Sequence, residues 1–250
     1  MAYAFSDICI VLGIYFIAAF AKGITGLGFS TACLPMLVLI FGLKPTLPLL
    51  IIPSIASNLI VMKQAGEFRI TLQQFWPLYI VQIPGLFLGL WLLIWLAPYI
   101  GTAILGMVLI IYGLFALSNP EFLLSNRLKK LLALPTGFVT GVINGLTGSQ
   151  VMPVLPYMLS LGLRPSRFIQ AINCSFTLSS VLMTFGLVKL ELMTIEAVLL
   201  SIVGLLPVYF GAKRGGKLRE RVAPAVFRKL VLILLILMGC VLAGQFLVNH

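Results

Sequence analysis

Two glycine-rich runs are the places where this chain has the residue types to hold a ligand. The first is Lys22-Gly23-Ile24-Thr25-Gly26-Leu27-Gly28-Phe29-Ser30, and the second is Gly141-Val142-Ile143-Asn144-Gly145-Leu146-Thr147-Gly148-Ser149. Glycine lets a backbone leave a helix and come close to a bound molecule. Each run precedes a short apolar segment, expected to begin near Phe29 and near Ser149. A helix starting there points free N–H groups and a partial positive charge back at the break, which favours an anion. The candidate binding residues are Lys22, Thr25, Gly26, Gly28, Ser30 and Thr31 in the first run, and Asn144, Gly145, Thr147, Gly148, Ser149 and Gln150 in the second. The competing explanation is packing, because small residues let membrane helices approach closely. Two matched runs, each rich in Ser, Thr or Asn, favour a site. Lys22 is either a charge in that site or a lysine snorkelling to an interface.

A second polar set lies inside apolar segments: Ser54, Ser57 and Asn58, then Asn173, Ser175, Thr177, Ser179 and Ser180. Asn58 and Asn173 are candidates for lining a polar cavity, and the rest fit hydrogen bonds between helices. The acids Asp7, Glu67, Glu121, Glu191, Glu196 and Glu220 all fall near segment ends, and the one histidine is His250. That leaves no carboxylate pair, Ser–His arrangement or metal cluster, so hydrolytic and acyl-transfer chemistry is excluded and no cofactor is expected. A site of neutral donors with one lysine and no acid suits an anion better than a cation. Arg164 and Arg167 either guide such an anion or simply mark a cytoplasmic loop.

The elements that must position these residues are membrane spans. Of 250 residues 61% are hydrophobic and 9% charged, with a mean hydropathy of +1.15. Soluble domains are nearer half apolar and a quarter charged, so a soluble enzyme, a nucleic-acid-binding module and a disordered chain are excluded. The net charge of +11 reflects bases at segment ends, the positive-inside pattern of a membrane protein. Cys9, Cys33, Cys174 and Cys240 lie in apolar runs without metal-ligand spacing and are expected as free thiols in a core. The first apolar run lacks a basic leader and reads as a mature helix.

Cut at charges, Gly and Pro, the apolar residues form ten segments, at 5–21, 29–42, 46–62, 72–96, 101–118, 132–146, 149–161, 168–187, 194–212 and 225–247. The second and seventh are too short to cross a bilayer alone. Basic loops are expected at Lys63–Arg69, at Arg127, Lys129 and Lys130, and at Lys213, Arg214, Lys217, Arg219 and Arg221. All three fall on one side, taken as cytoplasmic, with both termini outside, whether the short segments cross or form re-entrant hairpins.

The sequence echoes itself at an offset of about 120. Beside the glycine runs, Gly42-Leu43-Lys44-Pro45 matches Gly162-Leu163-Arg164-Pro165, and Gly89 is expected to close a long helix as Gly211 does. With an odd number of crossings per half, the second half is inverted. Inverted repeats with helices broken at matching places point to a secondary transporter with a site near the membrane midplane.

These motifs resemble the sulfite exporter TauE/SafE family, also called the toluene sulfonate uptake permeases, over essentially the whole chain. The resemblance rests on the two glycine runs, each followed by a proline-containing short segment (Pro35; Pro153 and Pro156), on Gly42–Pro45 and Gly162–Pro165, on the polar third segment of each half, and on Gly66-Glu67-Phe68-Arg69. Thr147 interrupts the Gly-x-Gly spacing in the second run. The resemblance implies a carrier of sulfite, a sulfonate or a related sulfur-containing anion.

The resulting expectation is an all-α polytopic membrane protein, one membrane domain over residues 1–250. Repeats at 1–120 and 121–250 would each carry a Gly-broken short-helix pair and three long transmembrane helices. It would work by alternating access in the inner membrane, the alternative being an anion channel of the same architecture. Its expected partners are the sulfur-containing anion, the lipid bilayer and, in a homodimer, a second copy; nucleic acid is not among them.

Overall fold

A computed structural model of the chain describes residues 3–25, 28–118, 123–219 and 224–248. Among these residues there are eleven α-helices and no strand. They are α1 (Phe5–Thr25), α2 (Phe29–Phe41), α3 (Leu43–Ala65), α4 (Phe68–Trp95), α5 (Pro98–Ser118), α6 (Asn126–Thr147), α7 (Val154–Ser160), α8 (Pro165–Lys189), α9 (Ile195–Val203), α10 (Leu205–Arg219) and α11 (Pro224–Val248). Seven stretches are long and apolar enough to cross a membrane: six lie in α1, α3, α4, α5, α8 and α11, and one runs through α9 and α10. At 1.5 Å per residue the 13 residues of α2 reach about 20 Å and the seven of α7 about 10 Å, short of a ~30 Å hydrocarbon core.

Nine of the ten expected segments each become one helix. The ninth divides at Gly204, because Pro207 has no N–H to donate to the Val203 carbonyl and the ladder is interrupted there. The basic loops need correction. Arg127, Lys129 and Lys130 lie within α6, and Lys213, Arg214, Lys217 and Arg219 within α10. Lys and Arg are good helix formers, so these helices continue past their apolar stretch. Arg221 lies outside the described residues.

Asp7 is in the first turn of α1, Glu196 in that of α9, and Glu67 is the N-cap of α4. Glu191 lies between α8 and α9, while Glu121 and Glu220 are outside the described residues. The Gly42 and Gly162 echo has a backbone cause. Both glycines take a positive φ, +79° and +66°; Gly42 caps α2, its N–H reaching the Val38 carbonyl at 2.9 Å. Gly162 follows α7, and α8 starts at Pro165.

The chain forms two compact units, each drawing on both halves of the sequence. The first comprises Met1–Pro53, Pro98–Ser118 and Leu187–His250; the second comprises Ser54–Ala97 and Asn119–Gly186.

In the first unit α1 packs along α10 and α5 along α11. Both contacts are glycine-mediated. A Cβ on Gly23 would lie 2.5 Å from the Ala212 carbonyl oxygen, and one on Gly106 would lie 2.5 Å from that of Gly239. The polar core of this unit is small and has a clear origin. Pro53 stands four residues after Leu49 and cannot donate to its carbonyl. The Tyr15 hydroxyl of α1 and the Ser201 hydroxyl of α9, the latter at 3.1 Å, donate to that carbonyl instead. Tyr15 also meets Phe29 edge to face, with ring centroids 5.7 Å apart.

In the second unit α4 and α6 pack along a seam of Gly85 and Gly89 against Gly137, Gly141 and Gly145. A Cβ on Gly141 would sit 2.7 Å from Leu86 N, and one on Gly145 would sit 2.7 Å from Leu90 N. Gly89 and Gly211 do not close helices as expected. Gly89 is inside α4 against Val142 to Leu146, and Gly211 is inside α10 against Phe16 and Phe20. Both glycines are there for close approach of two backbones. Of the cysteines, Cys33 and Cys174 are buried, but Cys9 and Cys240 are exposed. The lipid-facing side of such helices is as apolar as their core, so a thiol suits either.

Candidate functional site: a buried amide beside the second helix break

Buried polar residues are unevenly placed. Among the described residues eighteen are buried, and only Thr31, Thr46, Thr102 and Ser201 belong to the first unit, leaving fourteen in the second. Most of that second set is paired. Gln82, fully buried in α4, donates from Nε2 to Ser179 Oγ and accepts at Oε1 from Ser175 Oγ at 2.9 Å, fixing α8 to α4. Tyr79 of α4 donates to the Ala171 carbonyl of α8 at 3.0 Å. Thr177 Oγ1 lies 3.4 Å from Met62 Sδ, joining α8 to α3.

The second glycine run stays helical to within one residue of the expected segment end at 146. α6 continues through Thr147 and ends at Gly148, whose φ of +76° and ψ of −6° put it in the left-handed region. Glycine adopts that conformation without the penalty a Cβ would bring. The Gly148 N–H bonds to the Asn144 carbonyl at 2.7 Å. Residues 149–153 are irregular, and α7 starts at Val154 rather than near Ser149. Its first turn is occupied, with Leu155 N bonded to the Val151 carbonyl at 3.0 Å and Tyr157 N to that of Pro153 at 3.2 Å. The expected row of free helix-start N–H groups is thus reduced here by the turn that precedes the helix.

Most side chains of this run are also engaged. Thr147 Oγ1 donates to the Ile143 carbonyl at 2.6 Å and accepts from Ser149 N at 3.1 Å. Gln150 Nε2 donates to Ser180 Oγ of α8 at 3.0 Å. The close neighbours of Gly145 are backbone atoms of α4. Asn144 differs: it is 1% exposed, and neither its Nδ2 nor its Oδ1 has a partner. One turn earlier the fully buried Thr140 Oγ1 also has none. An orphaned buried amide is costly and calls for an occupant such as a ligand or water.

Asn58 is buried with its Nδ2 unpaired, whereas Asn173 Nδ2 bonds back to the Ile169 carbonyl of its own helix at 2.8 Å.

The first glycine run belongs to the first unit. Lys22 is in the last turn of α1, and Gly28 is the N-cap of α2 at φ −58°, a value open to any residue. Thr31 is buried, and its N–H bonds to the Gly28 carbonyl at 3.2 Å; Ser30 lies in the first turn of α2. Gly26 and the Thr25 side chain lie outside what is described.

The expectations missed Gln82, the burial of Thr140, and Gln170, which is fully buried in α8 with its Nε2 3.5 Å from Cys174 Sγ and its Oε1 unpaired. Gln82 had a signal, since a lone amide between Val81 and Ile83, deep in a 28-residue apolar helix, is expensive unless partnered.

One charged pair anchors an end of this unit. Glu67, ahead of α4, accepts from Ser166 Oγ at 2.7 Å and from Arg167 Nε at 2.9 Å, both from the start of α8. Those two donors hold the Glu67 carboxyl below its usual range. Arg167 is thus an ion-pair partner.

Described residues that are helical without a strand, with seven stretches long and apolar enough to cross a membrane, sealed glycine seams and a buried polar network, define a multi-pass membrane protein. Residues 11–242 match the family model of the sulfite exporter TauE/SafE proteins, and the chain belongs to that family of membrane transporters. No curated protein and no solved structure matches it.

Proposed function

We propose that the protein is a secondary transporter in the inner membrane, moving sulfite, a sulfonate or a related small organosulfur anion by alternating access. The family match over residues 11–242 carries this reading. Inverted repeats at 1–120 and 121–250 fit it. The helix lengths run in parallel order, α1 to α5 against α6, α7, α8, α9 with α10, and α11. The glycine-sealed pairs follow the same correspondence, α1 with α10 and α6 with α4.

The binding residues proposed in the second unit centre on Asn144, whose unpaired amide supports that location, with Thr140 and Asn58 as further unpaired groups. Gly148 sets the break, and Gln150 and Ser149 shape the chain that follows it. In the first unit Lys22, Gly28, Ser30 and Thr31 are retained as candidates from the sequence.

The test is transport in liposomes holding the purified protein. Saturable uptake of labelled sulfite or an alkylsulfonate, accelerated by the same anion on the far side, is the expected result. Flux that neither saturates nor responds to the far side would make the protein a channel. Displacement of bound substrate by organic cations but not by sulfur oxyanions would overturn the anionic reading.

A further inference from the structure

Asn144 presents an unpaired acceptor as well as an unpaired donor. Amide nitrogen and oxygen can be exchanged by a flip, but a flip leaves one acceptor unpaired just the same. A fully deprotonated oxyanion offers only acceptors. It would satisfy the Asn144 N–H and the Thr140 O–H, yet leave the amide oxygen naked or facing other lone pairs. Among the described residues of this unit, no Lys, Arg, His, Asp or Glu is buried, so no ammonium or guanidinium compensates there.

We infer that the anion bound at Asn144 carries a hydrogen-bond donor of its own, an O–H or N–H group, and meets both halves of the amide. This inference rests on the proposed transport reading and narrows its substrate class. The donor is either the proton retained by an inorganic oxyanion such as hydrogen sulfite, or a hydroxyl or amine on an organic sulfonate. A site built to bond such a group discriminates against a ligand lacking it, because its own polar atom is then left unpaired.

The experiment measures binding to the purified full chain in detergent at one near-neutral pH, using two matched pairs of probes. The first pair is 2-hydroxyethanesulfonate against propane-1-sulfonate, in which a hydroxyl is replaced by a methyl. The second is sulfite, part of which keeps a proton near neutrality, against sulfate, which keeps none. Tighter binding of the donor-bearing member, by about tenfold, is expected in at least one pair. The pair showing it identifies the source of the donor.

Asn144→Leu removes an unpaired amide without breaking an intramolecular side-chain bond, so it should fold and lose the preference. Thr140→Val provides a second variant one turn away, and should weaken binding of every probe. Two results overturn the inference and leave the transport reading standing: binding with no preference in either pair, or a preference that survives Asn144→Leu. Binding of none of the four probes overturns both.

Discussion

The Leu49 carbonyl tests the energetics of the first unit. Pro53 removes its helical donor, and the hydroxyls of Tyr15 and Ser201 stand in. Both residues are fully buried, so water does not replace a donor that is removed. Tyr15→Phe or Ser201→Ala alone leaves one donor, and each should cost about 0.5–1.5 kcal/mol. The double variant leaves a buried carbonyl with none. Its cost should exceed the sum of the singles by about 1 kcal/mol, part of the desolvation penalty for an orphaned group. Pro53→Ala restores an N–H four residues after Leu49, so in that background the coupling should fall toward zero. Thermal unfolding in detergent, followed by tryptophan fluorescence, reads the cycle. For a chain of this size 1 kcal/mol moves Tm by about 2–4 °C. Additive costs in the native background, or the same coupling in the Pro53→Ala background, would refute the reasoning.

Three further outcomes follow from the packing. Gly141→Ala places a methyl 2.7 Å from Leu86 N and should destabilise by about 1–3 kcal/mol; Gly13→Ala meets nothing within 4 Å and should be neutral or stabilising by about 0.4–1 kcal/mol. Equal melting temperatures for these two would remove the seam argument. The Glu67 carboxyl is held low by Ser166 and Arg167, so its stabilising effect is present at neutral pH and disappears as pH falls through its lowered value. Glu67→Gln should therefore melt earlier than the native protein at neutral pH, with the gap closing in acid; a gap that does not depend on pH would contradict this. Asn144→Leu should melt no earlier than the native protein, because the amide it replaces has no partner; a fall of several degrees would mean that the amide is structurally paired after all.

Much of this fold was legible because a bilayer imposes few options. Spans had to be helices, and nine of the ten apolar segments each became one helix, although α6 and α10 run on through their basic ends and several Gly and Pro lie inside helices. The Gly42 and Gly162 echo was readable for the same reason, as both positions adopt a positive φ. Which side of a helix faces its neighbours was not legible. Trp76, Trp91, Trp95 and Phe185 are exposed while Phe29 and Leu86 are buried, and all are apolar, so periodicity carried no signal. The same ambiguity misassigned Cys9 and Cys240. The start of α7 is displaced from its expected place because Ser149 and Gln150 read as its first residues, whereas the chain stays irregular over 149–153 and the helix begins at Val154.

Small and polar residues in a membrane span always have two explanations, packing and binding, and sequence alone weighs them together. Hydrogen-bond satisfaction separates them residue by residue. A polar group that holds helices together has a partner, as Gln82 has in Ser175 and Ser179, and as Gln150 has in Ser180. A glycine that holds helices together has a neighbouring backbone where its side chain would be, as Gly145 has in α4. Asn144 and Thr140 meet neither condition, although they lie within one turn of glycines that do. Burying an amide without a partner is disfavoured in any solvent-free interior, and more so where lipid removes the alternative of water. The proposed site therefore lies on the part of α6 that the glycine seam leaves unexplained, and α4, which packs along α6, is tied in turn to α8 through Gln82.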